Sequence, residues 1–294
     1  MNNLRRTLSL LLALVMLVAL GAFASAEDNA AAEEAAVTLT DEDVASLSYL
    51  NGQLRVGMEC AYAPNNWQES EASDTNVPIE NVPGAYAEGY DVQIARIIAD
   101  QLGLELVVVK MDWDGLIEAL NQGQIDAIIA GMADTESRKE AINFTSPYHE
   151  TVYALMVNAG TQYENATSLA DFNGASVLGQ KDTALDWTID QIEGVNHLTA
   201  VASVPDMIAR LQQGTCDAIV INLENAPGYL AANPDFVVIS FPEGEGLDPG
   251  FKGACVGLRK SDEALLSLAD AVLATIDQEQ RDELWETALT NQPT

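Results

Sequence analysis

The chain is poor in three kinds of side chain. It holds three cysteines, two histidines and only 13 lysines and arginines among 294 residues. Cys60, Cys216 and Cys255 are odd in number, so they cannot all pair internally, and a disulfide-built scaffold is excluded by count. A Cys216–Cys255 bridge stays open. No CxxC pair occurs, and His149 and His197 are the only imidazoles, which argues against a metal centre. The basic side chains face 45 acidic ones, for a formal charge of -32. That field disfavours nucleic acid and anionic lipid as partners. It suits solubility and, more weakly, the attraction of cationic small molecules. Long apolar runs are missing too. The most extended, Leu8 to Leu20, is short for a comfortable bilayer span.

That run reads instead as the core of a leader over residues 1–26. Arg5 and Arg6 precede it, and Ala24-Ser25-Ala26 supplies an A-x-A cleavage site before Glu27. The paired arginines hint at the twin-arginine route, but the strongly apolar run favours the general secretory one. No cysteine lies near the cleavage site, so no lipoprotein anchor is encoded there. An uncleaved membrane anchor is the alternative. Removing a leader that carries Arg5 and Arg6 and no acid leaves 11 basic against 45 acidic side chains, about -34. The expected location is extracytoplasmic: periplasm, cell surface or secreted.

What is present is a repeat. Leu120-Asn121-Gln122-Gly123-Gln124-Ile125-Asp126-Ala127-Ile128 returns as Leu211-Gln212-Gln213-Gly214-Thr215-Cys216-Asp217-Ala218-Ile219. Each copy is an amphipathic run, a glycine suited to a left-handed helix end, and a β-branched run suited to a buried strand. The offset of about 90 residues is too long for a solenoid repeat. It fits two similar α/β lobes, with a ligand crevice at the carboxyl ends of their strands. Chance resemblance of a low-complexity pattern is the alternative.

The remaining pattern fits this plan. Residues 27–50 read as an acidic tether with at most a short helix, although Thr40-Asp41-Glu42-Asp43 resembles a helix cap. Strands are predicted over 54–58, 104–109, 125–130, 175–179 and 218–221, and helices over 91–102, 114–122, 136–141, 183–191 and 205–213. Residues 68–89 read as an excursion loop, 152–157 as an extended run between lobes and 251–258 as a return strand. Two amphipathic helices, 262–275 and 278–290, follow. The limits are then 51–153 for the first part of lobe 1, 154–252 for lobe 2 and 253–294 for the return to lobe 1.

A few residues stand out chemically. Thr135-Glu136-Ser137-Arg138 opens a helix, with Thr135 as cap. Glu136 suits the helix dipole; Arg138 opposes it, by about 0.3–1 kcal/mol. An anion held between its guanidinium and free backbone N–H groups explains such a placement. A solvated Arg138 paired with Glu136 or Glu140 is the alternative. Gly179-Gln180-Lys181-Asp182-Thr183 offers a matching strand end and helix cap in the second lobe, or an ordinary capped loop. Asn222 and Glu224 stand where the second repeat strand meets the crevice and suit an ammonium group, unless they are plain surface residues. Tyr62, Trp67 and Trp113 supply flat walls or a cation–π face, with core packing the competing fate of Trp113.

An ordered series carries a resemblance. Leu54-Arg55-Val56-Gly57-Met58-Glu59-Cys60-Ala61-Tyr62-Ala63-Pro64, Gly89-Tyr90-Asp91-Val92, Trp113-Asp114-Gly115-Leu116, Gly123-x-x-Asp126-Ala127-Ile128, Thr135-x-x-Arg138 and Phe144-Thr145-Ser146-Pro147-Tyr148 follow one another across residues 50–290. The series resembles the extracellular solute-binding proteins of ABC importers for polar amino acids, solute-binding family 3. The resemblance implies an α/β, two-lobed, type II periplasmic-binding fold, each lobe a mostly parallel sheet flanked by helices, with a two-strand hinge. It implies a monomer without cofactor or metal that closes on a free amino acid and docks on a membrane permease. Arg138 then clamps the α-carboxylate, helped by backbone around Ala130, Gly131, Ala133 and Thr183. The position of Asn222 receives the α-ammonium, Glu59 faces the ligand side chain, and Tyr62 and Trp113 form walls.

The chain departs from that pattern in four places. Asn222 stands for the usual aspartate, so Glu224 or neutral acceptors must hold the amine. Ala133 replaces a hydroxyl residue, Asp182 replaces a glycine and adds an acid, and Asn65 replaces an aromatic. Glu59, Asp182 and Glu224 together tilt the expectation toward lysine, arginine or ornithine. A dehydratase-like enzyme acting on a cyclic carboxylate is the rival on the same fold, but no nucleophile–base pair or phosphate loop supports it. A sensory module is the third reading, and no signalling segment follows the last helices.

Overall fold

The computed structural model describes residues 37–293; the predicted leader and residues 27–36 of the predicted tether lie outside them. The first element bears out the helix cap read at Thr40. Thr40 and Asp43 form a capping box, each accepting from the other's backbone N–H, and start a helix over Asp41–Ser46. A 3-10 turn, Ser48–Leu50, comes next, and Leu47 and Leu50 are buried with the first core. The described part of the tether is therefore docked. Two apolar side chains spaced one helical turn apart outweigh its acidic composition.

Two five-stranded sheets carry the fold. The first runs in the order Glu105–Lys110, Gln53–Met58, Ala127–Ile128, Gly257–Leu258, Asn143–Phe144. The second runs Asn196–His197, Ser176–Leu178, Ala218–Asn222, Tyr153–Asn158, Phe236–Ile239. In each sheet the first three strands are parallel and the fourth is antiparallel to both neighbours. The reversed strand is in each case the one reached after the crossing between sheets. Leu54, Val56 and Met58, and Val177, Ile219 and Ile221, are buried, as strands covered on both faces require. Residues from Leu47 to Tyr148 and from Ala254 to Ala288 contribute to one apolar core, and residues from Tyr153 to Leu247 to another.

The repeat acquires a mechanical meaning here. Gly123 and Gly214 end their helices with φ of +73° and +65°, the left-handed conformation that glycine adopts without a Cβ clash. Asp126 then pairs with Arg55: its N–H donates to the Arg55 carbonyl at 2.7 Å and its Oδ2 accepts from the Arg55 N–H at 3.1 Å. Asp217 does the same with Ser176, at 2.8 Å in both directions. The aspartate of each copy thus fixes where its strand sits against its parallel neighbour.

The crossing is narrow. His149–Glu150 pairs antiparallel with Gly253–Ala254, and a Cβ on Gly253 would collide with the His149 carbonyl. Residues 68–89, read as a loop, are irregular over most of their length but contribute Val77–Pro78 and Tyr86–Glu88 to a small antiparallel sheet with Ala61–Tyr62 and Asn66–Glu69. Its strands are too short to show alternation; buried Trp67 and Ala87 hold it, and Arg96 grips the carbonyls of Asp74, Thr75 and Asn76, each at 3.0 Å. The helix Ala226–Ala232 and the strand Phe236–Ile239 were not predicted. All three cysteines are free and buried, so no Cys216–Cys255 bridge is formed. Among the described residues no helix is long and apolar enough to cross a membrane.

Asp217→Ala should cost about 1–3 kcal/mol, because the Ser176 N–H loses its acceptor, while Asp217→Asn, which keeps an oxygen in place, should cost less. Urea unfolding monitored by circular dichroism reads the difference; equal costs would show that the oxygen is not what matters.

Candidate functional site

The carboxyl ends of the parallel strands from both sheets converge on one cleft, where open α/β sheets place their ligands. Glu59 follows Gln53–Met58, Trp113 follows Glu105–Lys110, and Ala130 and Gly131 follow Ala127–Ile128. From the second sheet, Gln180 follows Ser176–Leu178 and Asn222 ends Ala218–Asn222. Ten of the eleven predicted site residues line the cavity between them: Glu59, Tyr62, Trp113, Ala130, Gly131, Ala133, Arg138, Thr183, Asn222 and Glu224. The cavity measures about 50 Å³, room for a few waters at most, so a larger solute requires the two sheets to separate.

Arg138 sits on the short helix Glu136–Ala141, whose cap Thr135 accepts from the Arg138 N–H at 3.3 Å. Its Nη1 donates to the Ala133 carbonyl at 2.9 Å and its Nη2 reaches across the cleft to the Asp182 carbonyl at 2.8 Å. The guanidinium lies 5.2 Å above the Trp113 ring, within cation–π range. Among the described residues no carboxylate forms an ion pair with it. Burial pushes its pKa down to about 10, a shift that the nearby Tyr153 and Asp182 only partly oppose. Neither Glu136 nor Glu140 pairs with it, so the alternative reading of a solvated surface pair is not what the structure contains.

Asp182 is the correction. Its carboxylate does not line the cavity: it turns to Lys181, 3.5 Å away, and stays 61% exposed. The residue holds φ +60°, a left-handed conformation that points its carbonyl, not its side chain, at Arg138 and at the Trp113 indole N–H, 3.4 Å away. A glycine's geometry is kept although the residue is an aspartate. Thr183 beside it caps Ala184–Trp187, accepting from the Leu185 N–H at 3.1 Å and donating to the Gln180 carbonyl at 2.8 Å.

The opposite wall is acidic and aromatic. Glu59 is 8% exposed. Burial drives its carboxyl up to about 7; the Gln180 Nε2, 3.3 Å from Oε2, pulls it down and Asp112 pushes it up. The Tyr62 hydroxyl donates to Asn222 Oδ1 at 2.6 Å, and Asn222 Nδ2 donates to Thr151 Oγ1. Gly131, at φ +66°, leaves no Cβ where the Tyr62 ring packs. Glu224 accepts from the Val152 N–H at 3.3 Å and stands 3.6 Å from His149 Nε2. Further bridges join the lobes: Asn225 donates to Asn65 at 3.0 Å, and Lys181 pairs with Asp114 at 3.2 Å.

Sequence reading missed Asn65, His149, Thr151, Tyr153, Gln180, Ala184, Leu185, Phe251, Gly253 and Ala254 as lining residues. Gln180 had a signal, since it lies in the loop just before Thr183. The crossing residues 149–153 and 251–254 had none, because their approach to the cleft depends on the pairing of two segments about 100 residues apart.

Residues 54–287 match the family described as bacterial extracellular solute-binding proteins, family 3. The chain belongs to that family. Among its relatives, it is 29% identical to a probable histidine-binding protein of Campylobacter jejuni over 71% of this chain and 70% of that one. It is 25% identical to an L-arginine-binding protein of Pseudomonas aeruginosa, over 75% and 81% respectively. Among solved structures, an amino acid ABC transporter substrate-binding protein from Streptococcus pneumoniae bound to L-arginine superposes with a TM-score of 0.73 at 25% identity, covering 86% of this chain and 99% of that one. Holo ArgBP from T. maritima gives a TM-score of 0.65 at 28% identity, covering 85% and 99%. The architecture is thus the two-lobed type II periplasmic-binding fold.

The Glu59 carboxyl takes up its proton more readily folded than unfolded, so its ionisation destabilises the protein as pH rises from about 4.5 to about 7. Glu59→Gln should therefore match wild type near pH 4 and exceed it above pH 7 by about 1–3 kcal/mol. Parallel stability profiles by urea unfolding would contradict the raised value.

Proposed function

We propose that the protein binds a free, polar amino acid in the cleft and delivers it to an ABC importer. The arrangement that carries this reading is Arg138: a partly desolvated guanidinium, without a carboxylate partner among the described residues, bridging carbonyls of both lobes. A ligand α-carboxylate is the group that such a cation lacks. In this reading backbone around Ala130, Gly131 and Ala133 from lobe 1 (51–153 with 253–294) and the Thr183 helix end from lobe 2 (154–252) complete the clamp. Tyr62 and Trp113 wall the ligand, and its ammonium meets acceptors at Asn222 and Glu224. Contact with both lobes favours closure, since only differential binding shifts an equilibrium between open and closed forms. Glu59, on the opposite wall, favours a basic side chain. The protein works as a monomer outside the cytoplasm after loss of residues 1–26, and returns its ligand chemically unchanged.

Thermal-shift screening against the twenty amino acids and ornithine identifies the ligand, and mass spectrometry of the recovered solute checks that no turnover occurs. In titration calorimetry Arg138→Ala should cost about 2–5 kcal/mol of affinity, whereas Asp182→Gly, which keeps the carbonyl, should stay within about threefold of wild type. Unchanged binding by Arg138→Ala would remove Arg138 from the clamp. A lysine or arginine ligand should gain affinity as pH rises through about 7, where Glu59 ionises, by up to about tenfold per unit below that value; a neutral amino acid should show no such slope.

A further inference from the structure

The hinge end of the cleft contains a pair of under-used polar groups, whose role depends on the reading that an amino acid enters the cleft. Asn222 is already committed at both ends of its side chain, to the Tyr62 hydroxyl and to Thr151. A ligand ammonium seeking Asn222 Oδ1 would compete with the Tyr62 bond at 2.6 Å. Glu224, two residues on, differs. Its Oε2 takes only the Val152 N–H, at 3.3 Å, and its Oε1 stands 3.6 Å from His149 Nε2, beyond a formed hydrogen bond. His149 Nε2 is buried and has no hydrogen-bond partner among the described residues.

The imidazole has a fixed aim. It stacks on Trp285 of the last helix, with centroids 4.2 Å apart and planes 21° from parallel, and lies 5.2 Å from the Tyr90 ring. Other charged groups gather near the hinge: Asp91, bound to the Tyr148 hydroxyl, Arg281, bound to the Tyr148 carbonyl, and Glu150 and Asp282. Within ion-pair distance of His149, Glu224 alone is found among the described residues. With its proton on Nε2, the imidazole presents an N–H on the side of Oε1, 3.6 Å away, so a small approach of the carboxylate completes the bond. Both residues line the cleft cavity, which puts the carboxylate within reach of a group bound there.

We propose that His149, by orienting Glu224 as the principal acceptor of the bound amino acid's ammonium group ahead of Asn222, is the positioning residue which sets discrimination between an amino acid and its deaminated counterpart.

The test uses L-arginine and 5-guanidinopentanoate, the same molecule without its α-ammonium, in titration calorimetry on the full mature chain. Should another amino acid from the screen bind and L-arginine not, that amino acid and its deaminated counterpart replace the pair. His149 and Glu224 also line a cavity of about 420 Å³ on the outer side of the hinge, so His149→Phe, which keeps the stack on Trp285, is preferred to a truncation. Glu224→Gln and His149→Phe should weaken the amino acid by about 10-fold or more, as expected for loss of a charged hydrogen bond, and leave the deaminated probe within about twofold. His149→Gln, which restores a donor, should recover most of the discrimination. Parallel loss for both probes would show a merely structural role and overturn the proposal, as would unchanged discrimination in either variant. If wild type binds no amino acid of the panel, the amino-acid reading fails and the Glu224 assignment falls with it; if it binds and the ratios do not move, only the Glu224 assignment falls.

Discussion

A cation drawn partly out of water without a counter-ion is costly, and Arg138 is such a cation. Its two hydrogen bonds from the guanidinium go to neutral carbonyls, one in its own lobe and one across the cleft, and burial lowers its proton affinity rather than a neighbouring acid raising it. The surrounding architecture keeps it there. Thr135 starts the helix that presents it, Trp113 offers a ring face beneath it, and Asp182 adopts a left-handed backbone to bring a carbonyl to it. Neutral carbonyls satisfy N–H groups but supply no opposite charge, so the site is electrostatically unfinished in a way that an anion completes.

The two lobes are variations on one plan, down to the bond. Asp126 and Asp217 make the same reciprocal pair with the strand beside them, and the helix before each ends on a left-handed glycine. In both sheets the strand next to the repeat strand is the reversed one, and it is the strand reached by crossing from the other lobe. That placement puts the hinge beside the repeat strands' carboxyl ends, and therefore beside the cleft. The hinge is also a place where size is restricted: Gly253 touches the His149 carbonyl, and His149 is packed between Tyr90 and Trp285. Motion there is tied to residues that line the ligand cavity, which is how a local contact can bias the relative position of two lobes.

Much of the fold was legible. The helix 136–141 matches Glu136–Ala141, and the helices and strands from Gln53 to Asn121 that were predicted fall within a few residues of their limits. These segments carry their own punctuation: a cap, a left-handed glycine, or a run of β-branched residues. Segments with weaker local signals were misread. The small sheet of residues 61–88 consists of two- to four-residue strands, too short for a period to show. The acidic composition of 40–50 hid two buried leucines, and the strand Phe236–Ile239 is recognisable only through its pairing with Tyr153–Asn158.

By itself the sequence determined the duplicated α/β unit, the excess of negative charge, and an arginine set near the start of a helix with an unusual neighbourhood. Those are local properties, fixed by spacing and composition. Only the tertiary structure decided that Asp182 offers its carbonyl and not its carboxylate, that Asn222 is already used by Tyr62 and Thr151, and that His149 stands beside Glu224. The reason is physical. Which atom of a residue faces a cleft depends on backbone dihedrals and on partners far away along the chain, and neither is written in the order of neighbouring side chains.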